Sequence, residues 1–170
     1  DASNDRVQVF DISNPASPSY VATISSLNNP SGVAVDAAYI YVANTWNHQV
    51  LVFDRSTRNL VATIGTGWGM GNDQFKNPSD VAVDAAGNLY VADFVNTRVQ
   101  QFTRSGGIWQ YARTYGETGV PYITDSYHYN TPSSVAVATD GSIYLTEDKG
   151  HRLVKLAPDG TPIWTVGAAG

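Results

Sequence analysis

Residues 77–93 read NPSDVAVDAAGNLYVAD, and this stretch decides the fold. Val81-Ala82-Val83 is a short β-branched run and Leu89-Tyr90-Val91-Ala92 a second, both suited to strands packed between neighbouring layers. Between them, Asp84-Ala85-Ala86-Gly87 has the composition of a type I turn followed by a left-handed residue. Gly87 would supply the positive φ, and Asp84 is placed to accept turn amides. Pro78 precedes the first strand, where a missing backbone N–H costs no ladder bond. The hairpin recurs as NPSGVAVDAAYIYVAN from Asn29 and as TPSSVAVATDGSIYLTE from Thr131. The turn at Ala138-Thr139-Asp140-Gly141 repeats the scheme, whereas Asp36-Ala37-Ala38-Tyr39 is one residue shorter and lacks the glycine, so its turn must differ.

Downstream of each hairpin a second register holds. The apolar residues Val7, Val50, Val99 and Leu153 open a third strand at spacings of 43, 49 and 54 residues. Three positions on stand Phe10, Phe53, Phe102 and Leu156; three positions back, Asn4, Asn47, Asn96 and Gly150; six back, Asp1, Asn44, Asp93 and Glu147. Each full unit therefore reads as four strands, one antiparallel blade, with the recurrent Asn and Phe positions as structural repeat sites. The units are 29–76, 77–130 and 131–170, and 1–28 supplies only the outer half of a blade. The fold class expected is all-β, a β-propeller with an incomplete first blade. A lone half blade exposes strand edges, so the remainder of a propeller or a second chain is expected to complete it, and the sequence reads as a piece of a longer protein.

The combination of a Pro before V-A-V-D, an x-Y-V-A-D strand, an Asn-x-Arg-like tripeptide and a V-x-x-F strand resembles the NHL repeat. Asn47-His48-Gln49, Asn96-Thr97-Arg98, Asn4-Asp5-Arg6 and Gly150-His151-Arg152 stand at the tripeptide position. The resemblance implies a propeller of six blades, but the family includes enzymes, sensors, RNA binders and scaffolds, so it implies no one function. Similar propellers include peptide-amidating and antibiotic-opening lyases, which use His residues and metal ions around the central axis. Those residues do not carry over here, because the inner strands bear only Val and Ala.

Composition narrows the partners. Ten Lys+Arg against fifteen Asp+Glu give a net charge of −5, with the basic residues scattered singly, which argues against nucleic acid. The chain has no cysteine and therefore no disulfide or thiolate site. No apolar run reaches the length of a membrane span. Abundant Ser, Thr, Asn, Gly and Tyr with sparse Lys suggest an extracellular or cell-surface protein.

Two kinds of candidate site emerge. The oxygen-bearing side chains at Asp1, Asn44, Asp93 and Glu147 read first as loop caps accepting backbone N–H bonds; Asp93 and Glu147 are also candidate ligands of a hard cation such as Ca²⁺, with no other cofactor expected. The connections between blades carry residues the repeat does not require. Trp68 lies in a glycine-rich connection that ends at the packing residue Phe75, and Tyr122, Asp125, Tyr127, His128 and Tyr129 lie in a longer one. Aromatic loops on a rigid scaffold suit a protein or carbohydrate partner. The expectation is a non-enzymatic binding or assembly scaffold using one propeller face. The alternatives are a metal-assisted lyase or hydrolase with its site at the channel mouth, and a structural subunit of a filament or array.

Overall fold

The computed structural model describes residues 1–120 and 127–167. Its strands form one two-stranded sheet, β1 (Val7–Asp11) and β2 (Ser19–Ile24), and three four-stranded sheets. The first full sheet holds β3 (Pro30–Val35), β4 (Tyr39–Asn44), β5 (Gln49–Asp54) and β6 (Leu60–Ile64). The second holds β7 (Pro78–Val83), β8 (Leu89–Asp93), β9 (Arg98–Ser105) and β10 (Ile108–Tyr115); the third holds β11 (Pro132–Val137), β12 (Ile143–Glu147), β13 (Arg152–Leu156) and β14 (Pro162–Gly167). All neighbours are antiparallel, and strand order follows chain order within each sheet. The molecule is an incomplete β-propeller whose first blade contains only its outer pair. No helix among the described residues is long and apolar enough to cross a membrane.

The turns form as their residues dictate. Gly87 and Gly141 take φ of 82° and 81°, and the Asp84 carboxylate accepts the N–H groups of Ala86 and Asn88 at 2.9 and 2.8 Å. The shorter turn at Asp36 closes without a left-handed residue. Its carboxylate accepts from the Ala38 and Tyr39 N–H groups, both at 2.7 Å, so no glycine is required.

Adjacent blades bury one core between each pair. Tyr41, Val50, Val52, Val81, Leu89, Val91 and Phe102 fill the space between the first two full blades. Tyr90, Val99, Val135, Ile143, Leu145, Val154 and Leu156 do the same for the next pair. The half blade makes a smaller core with Ile40, Val42, Leu51 and Phe53. Two expectations need correction here, because that half blade covers only the outer part of its neighbour. The inner strand β3 is not covered on both faces, since Val33 is 47% exposed where its counterpart Val81 is 3% exposed. Phe10 is likewise exposed, whereas Phe53, Phe102 and Leu156 are buried.

The pairings Pro30 with Asn44 and Val50 with Ile64 place four features at one end of the sheets. These are the starts of the inner strands, the loops between second and third strands, the ends of the outer strands, and the connections between blades. This end is the connection face.

Candidate functional site

The segments leading into β1, β5 and β9 are one-turn 3₁₀ segments closed by a left-handed residue, Asp5, His48 and Thr97 at φ of 50°, 56° and 57°, and the β12–β13 loop is a turn closed by His151 at φ 48°. In each full blade the residue that opens this loop caps the connection that enters the blade, whereas the Asp1 carboxylate bonds only the Asn4 and Arg6 side chains. Asn44 accepts the Asn28 N–H at 2.6 Å, Asp93 the Lys76 N–H at 2.7 Å, and Glu147 the Asn130 N–H at 2.9 Å. The remaining carboxylate oxygens meet arginine: Asp1 with Arg6 at 2.8 Å, Asp93 with Arg98 at 2.9 Å and Glu147 with Arg152 at 2.8 Å. Asn4 and Asn96 donate to the same acids, each at 2.8 Å, whereas Asn47 receives the side-chain amide of Asn28 at 2.9 Å. Burial pushes the Asp93 carboxyl above its ordinary range, opposed by the Lys76 N–H, Asn96 and Arg98. With their oxygens engaged in this way, Asp93 and Glu147 do not fit a cation site.

Arg98 is the residue that sequence reasoning passed over. Its buried guanidinium donates to the carbonyls of Met70, Gly71 and Gln74 and to the Thr118 hydroxyl at 2.8 to 3.0 Å. One side chain thus fixes the glycine-rich connection 65–77 and ties it to the connection after β10. Charge-assisted bonds to several carbonyls make a stiff anchor for a segment with little side-chain packing of its own. Its recurrence at Arg6, Arg98 and Arg152 was the available signal.

The connections carry an aromatic surface. Trp68 is 60% exposed, with His48 against it at 4.7 Å between ring centroids and the Lys76 ammonium 5.1 Å from its ring. Trp46, on the neighbouring 3₁₀ segment, is equally exposed, and Met70 and Val95 are exposed to a lesser degree. In the second long connection Tyr127 is 63% exposed and His128 meets Glu117 at 2.9 Å. Tyr127, His128, Glu117, Tyr115 and Asp159 border an open cavity of about 290 Å³. Tyr129 corrects the expectation of an exposed binding residue. It is 2% exposed, packed under Gly116 as Phe75 packs under Gly65. Leu27, Phe75 and Tyr129 each stand three residues before the strand-opening proline, so Tyr129 is a repeat position after all. Tyr122 and Asp125 lie outside the described residues.

At the centre of the same face the inner strands are stitched by hydroxyls. Ser31 donates to the Ser79 carbonyl at 2.6 Å, Thr45 to the Pro78 carbonyl at 2.8 Å and Ser79 to the Pro132 carbonyl at 2.8 Å. Asp80, the carboxylate of these inner strands among the described residues, accepts from Ser134 and from the Val135 N–H. The histidines lie elsewhere: His48 accepts the Asn77 N–H, His128 pairs with Glu117 and His151 is exposed in a loop. The described residues contain no group of three or more His, Asp or Glu able to hold a metal ion, and the hydroxyl-rich centre does not fit a histidine-bound metal.

A family model of the NHL repeat matches residues 27–53 and 75–102. Over 130 residues the chain is 28% identical to a Caenorhabditis elegans protein named as a probable peptidyl-alpha-hydroxyglycine alpha-amidating lyase, covering 74% of this chain and 36% of that protein. Among solved structures, Kuenenia stuttgartiensis hydrazine synthase aligns with a TM-score of 0.71 at 18% identity, over 99% of this chain and 44% of that one. Selenomethionine-substituted virginiamycin B lyase from Staphylococcus aureus aligns with a TM-score of 0.63 at 11% identity, over 98% and 50%. The chain spans about a third of the length of the curated relative and half or less of each of these two structures. At these identities the two structures speak to the propeller fold alone.

Proposed function

This chain belongs to the NHL-repeat β-propellers, and from that premise we propose that it is a non-enzymatic binding and assembly module of an extracellular or cell-surface protein, taking protein or glycan partners on its connection face. The observation that carries this reading is the gathering of Trp46, Trp68 and Tyr127, each at least 60% exposed, on one end of a rigid scaffold. Exposed rings combine apolar area with a polar handle at small entropic cost, which suits peptide or sugar surfaces. Arg98 supports it by removing freedom from the connections before a partner arrives, which lowers the entropy lost on binding.

The test is a glycan and peptide array probed with the chain and with a Trp46→Ala, Trp68→Ala, Tyr127→Ala variant. Specific hits lost in the variant support the reading; hits retained at full strength would sink it.

A second reading rests on the amidating-lyase relative: cleavage of peptides ending in α-hydroxyglycine. The centre of the face weighs against it, because serine hydroxyls and Asp80 occupy the described inner rim. Turnover of such a peptide by the chain together with stoichiometric transition metal would replace the binding module with this enzyme.

A further inference from the structure

Trp68 is an exposed ring on a backbone that cannot move far. Its neighbours in the glycine-rich connection are tied to Phe75, whose N–H donates to the Gly67 carbonyl and whose carbonyl accepts the Gly69 N–H, both at 3.3 Å. Lys76 follows Phe75 and is pinned on both sides, because Asp93 accepts its N–H at 2.7 Å and its own carbonyl accepts the Val95 N–H at 3.1 Å. The Lys76 ammonium lies 5.1 Å from the centre of the Trp68 ring and forms no ion pair with a carboxylate among the described residues. His48 stands on the same indole, 4.7 Å away with the ring planes at 73°. Its Nδ1 accepts the Asn77 N–H at 3.2 Å, so the neutral imidazole carries its proton on Nε2 and keeps a donor there. Trp46, two residues before His48, is 60% exposed, as Trp68 is.

Resting on the binding reading above, we infer that the ligand of this face is an acidic glycan built of hexuronate units, one pyranose stacked on Trp68 with its carboxylate on Lys76. The indole and the ammonium address the same ligand unit, so that unit must carry a flat apolar face and a negative charge together. A hexuronate does, since its carboxylate is a substituent of the ring whose C–H face stacks. An Asp or Glu of a peptide brings the charge without the flat face. The cation–π contact of an exposed lysine is weak and its stem is flexible, so the ammonium exchanges the indole for the carboxylate as the sugar arrives. One cation matches one carboxylate per unit. A polysulfated chain needs several cations together, and the basic residues of this chain are scattered singly under a net charge of −5. Trp46 offers the adjoining sugar a second ring.

The probes are trisaccharides of galacturonate, mannuronate and guluronate, the methyl ester of each, and a heparin-type sulfated oligosaccharide, titrated calorimetrically into the whole chain at low salt. At least one uronate should bind, about tenfold more tightly than its uncharged ester, and added salt should shrink that margin. Lys76→Gln should bring the acid down to the level of the ester and leave the ester unchanged, whereas Trp68→Ala should weaken both. Both side chains act at the surface, so unchanged urea midpoints are expected and separate lost contacts from lost fold. Equal binding of acid and ester, a preference that survives Lys76→Gln, or tighter binding of the sulfated chain would overturn the proposal. Array hits confined to peptides or neutral glycans, and lost in the Trp46, Trp68 and Tyr127 variant, would overturn the acidic glycan while the connection-face reading stood. An array without any hit that depends on those rings would sink both.

Discussion

The loops around Asn44 and Asp93 share one backbone and solve it with different chemistry. Both run through a 3₁₀ turn to a left-handed residue, and both cap the connection entering their blade, at 2.6 and 2.7 Å. In the first the pair is Asn44 and Gln49, without charge; in the second it is Asp93 and Arg98, a buried ion pair at 2.9 Å. The connections explain the difference. Residues 25–29 are too short a link to need anchoring, whereas 65–77 bring carbonyls of Met70, Gly71 and Gln74 to the loop, and only a guanidinium can satisfy them together. Once arginine is buried there, the cap must be an acid. The third full blade, entered by residues 116–131, agrees: Arg152 pairs with Glu147 and donates to the His128 carbonyl. The cap is architectural in each full blade, and among those three the charge accompanies the long connections.

Breaking the pair should have the largest effect. Asp93→Asn leaves Arg98 buried without a counter-charge and should cost about 3–5 kcal/mol in urea unfolding. Arg98→Gln should also destabilise, and the double change, which imports the arrangement of the preceding blade, should cost less than the sum of the singles. Strict additivity would mean the two residues are not coupled.

Next in size is the contrast between two neighbouring tyrosines. Tyr129→Ala empties the site under Gly116 and should cost about 3 kcal/mol, as large-to-small core changes do. Tyr127→Ala should leave stability within about 0.5 kcal/mol and act on binding alone. Equal thermal shifts in the two variants would show that the connection is not divided into a packed ring and a presented one.

The smallest effect sharpens the comparison in reverse. Asn44→Asp places a buried carboxylate where no arginine stands and should cost about 1–3 kcal/mol near neutral pH. Burial raises the folded-state pKa of such an acid, so the loss should shrink as pH falls through that value, and Gln49→Arg should restore stability. An Asn44→Asp chain as stable as the parent at pH 7 would contradict the account of the cap.

What was legible in the sequence follows the range of the interactions. Strands, turns and blade register came from residues a few positions apart, such as Asp84 with Gly87, or from positions repeated in every unit. The caps at Asn44, Asp93 and Glu147 were legible because they recur. The role of Arg98 was not, since its acceptors lie more than twenty residues away at backbone atoms that carry no side-chain signature. Composition could not separate Tyr129 from Tyr127 either; spacing from Pro132 separates them, once Leu27 and Phe75 are aligned with it. The exposure of Val33 arises because β1 and β2 cover only the outer part of the neighbouring blade, and not from any feature of β3 itself.

The most direct test of the central claim is where on the connection face a ligand found by array is held. Its affinity should be measured for the parent chain, for Trp68→Ala with Tyr127→Ala on the connections, and for Asp80→Asn at the centre. The connection variant should lose binding by about tenfold or more, while Asp80→Asn should bind as the parent does. Loss on Asp80→Asn with the connection variant unchanged would place function at the inner rim and contradict that claim.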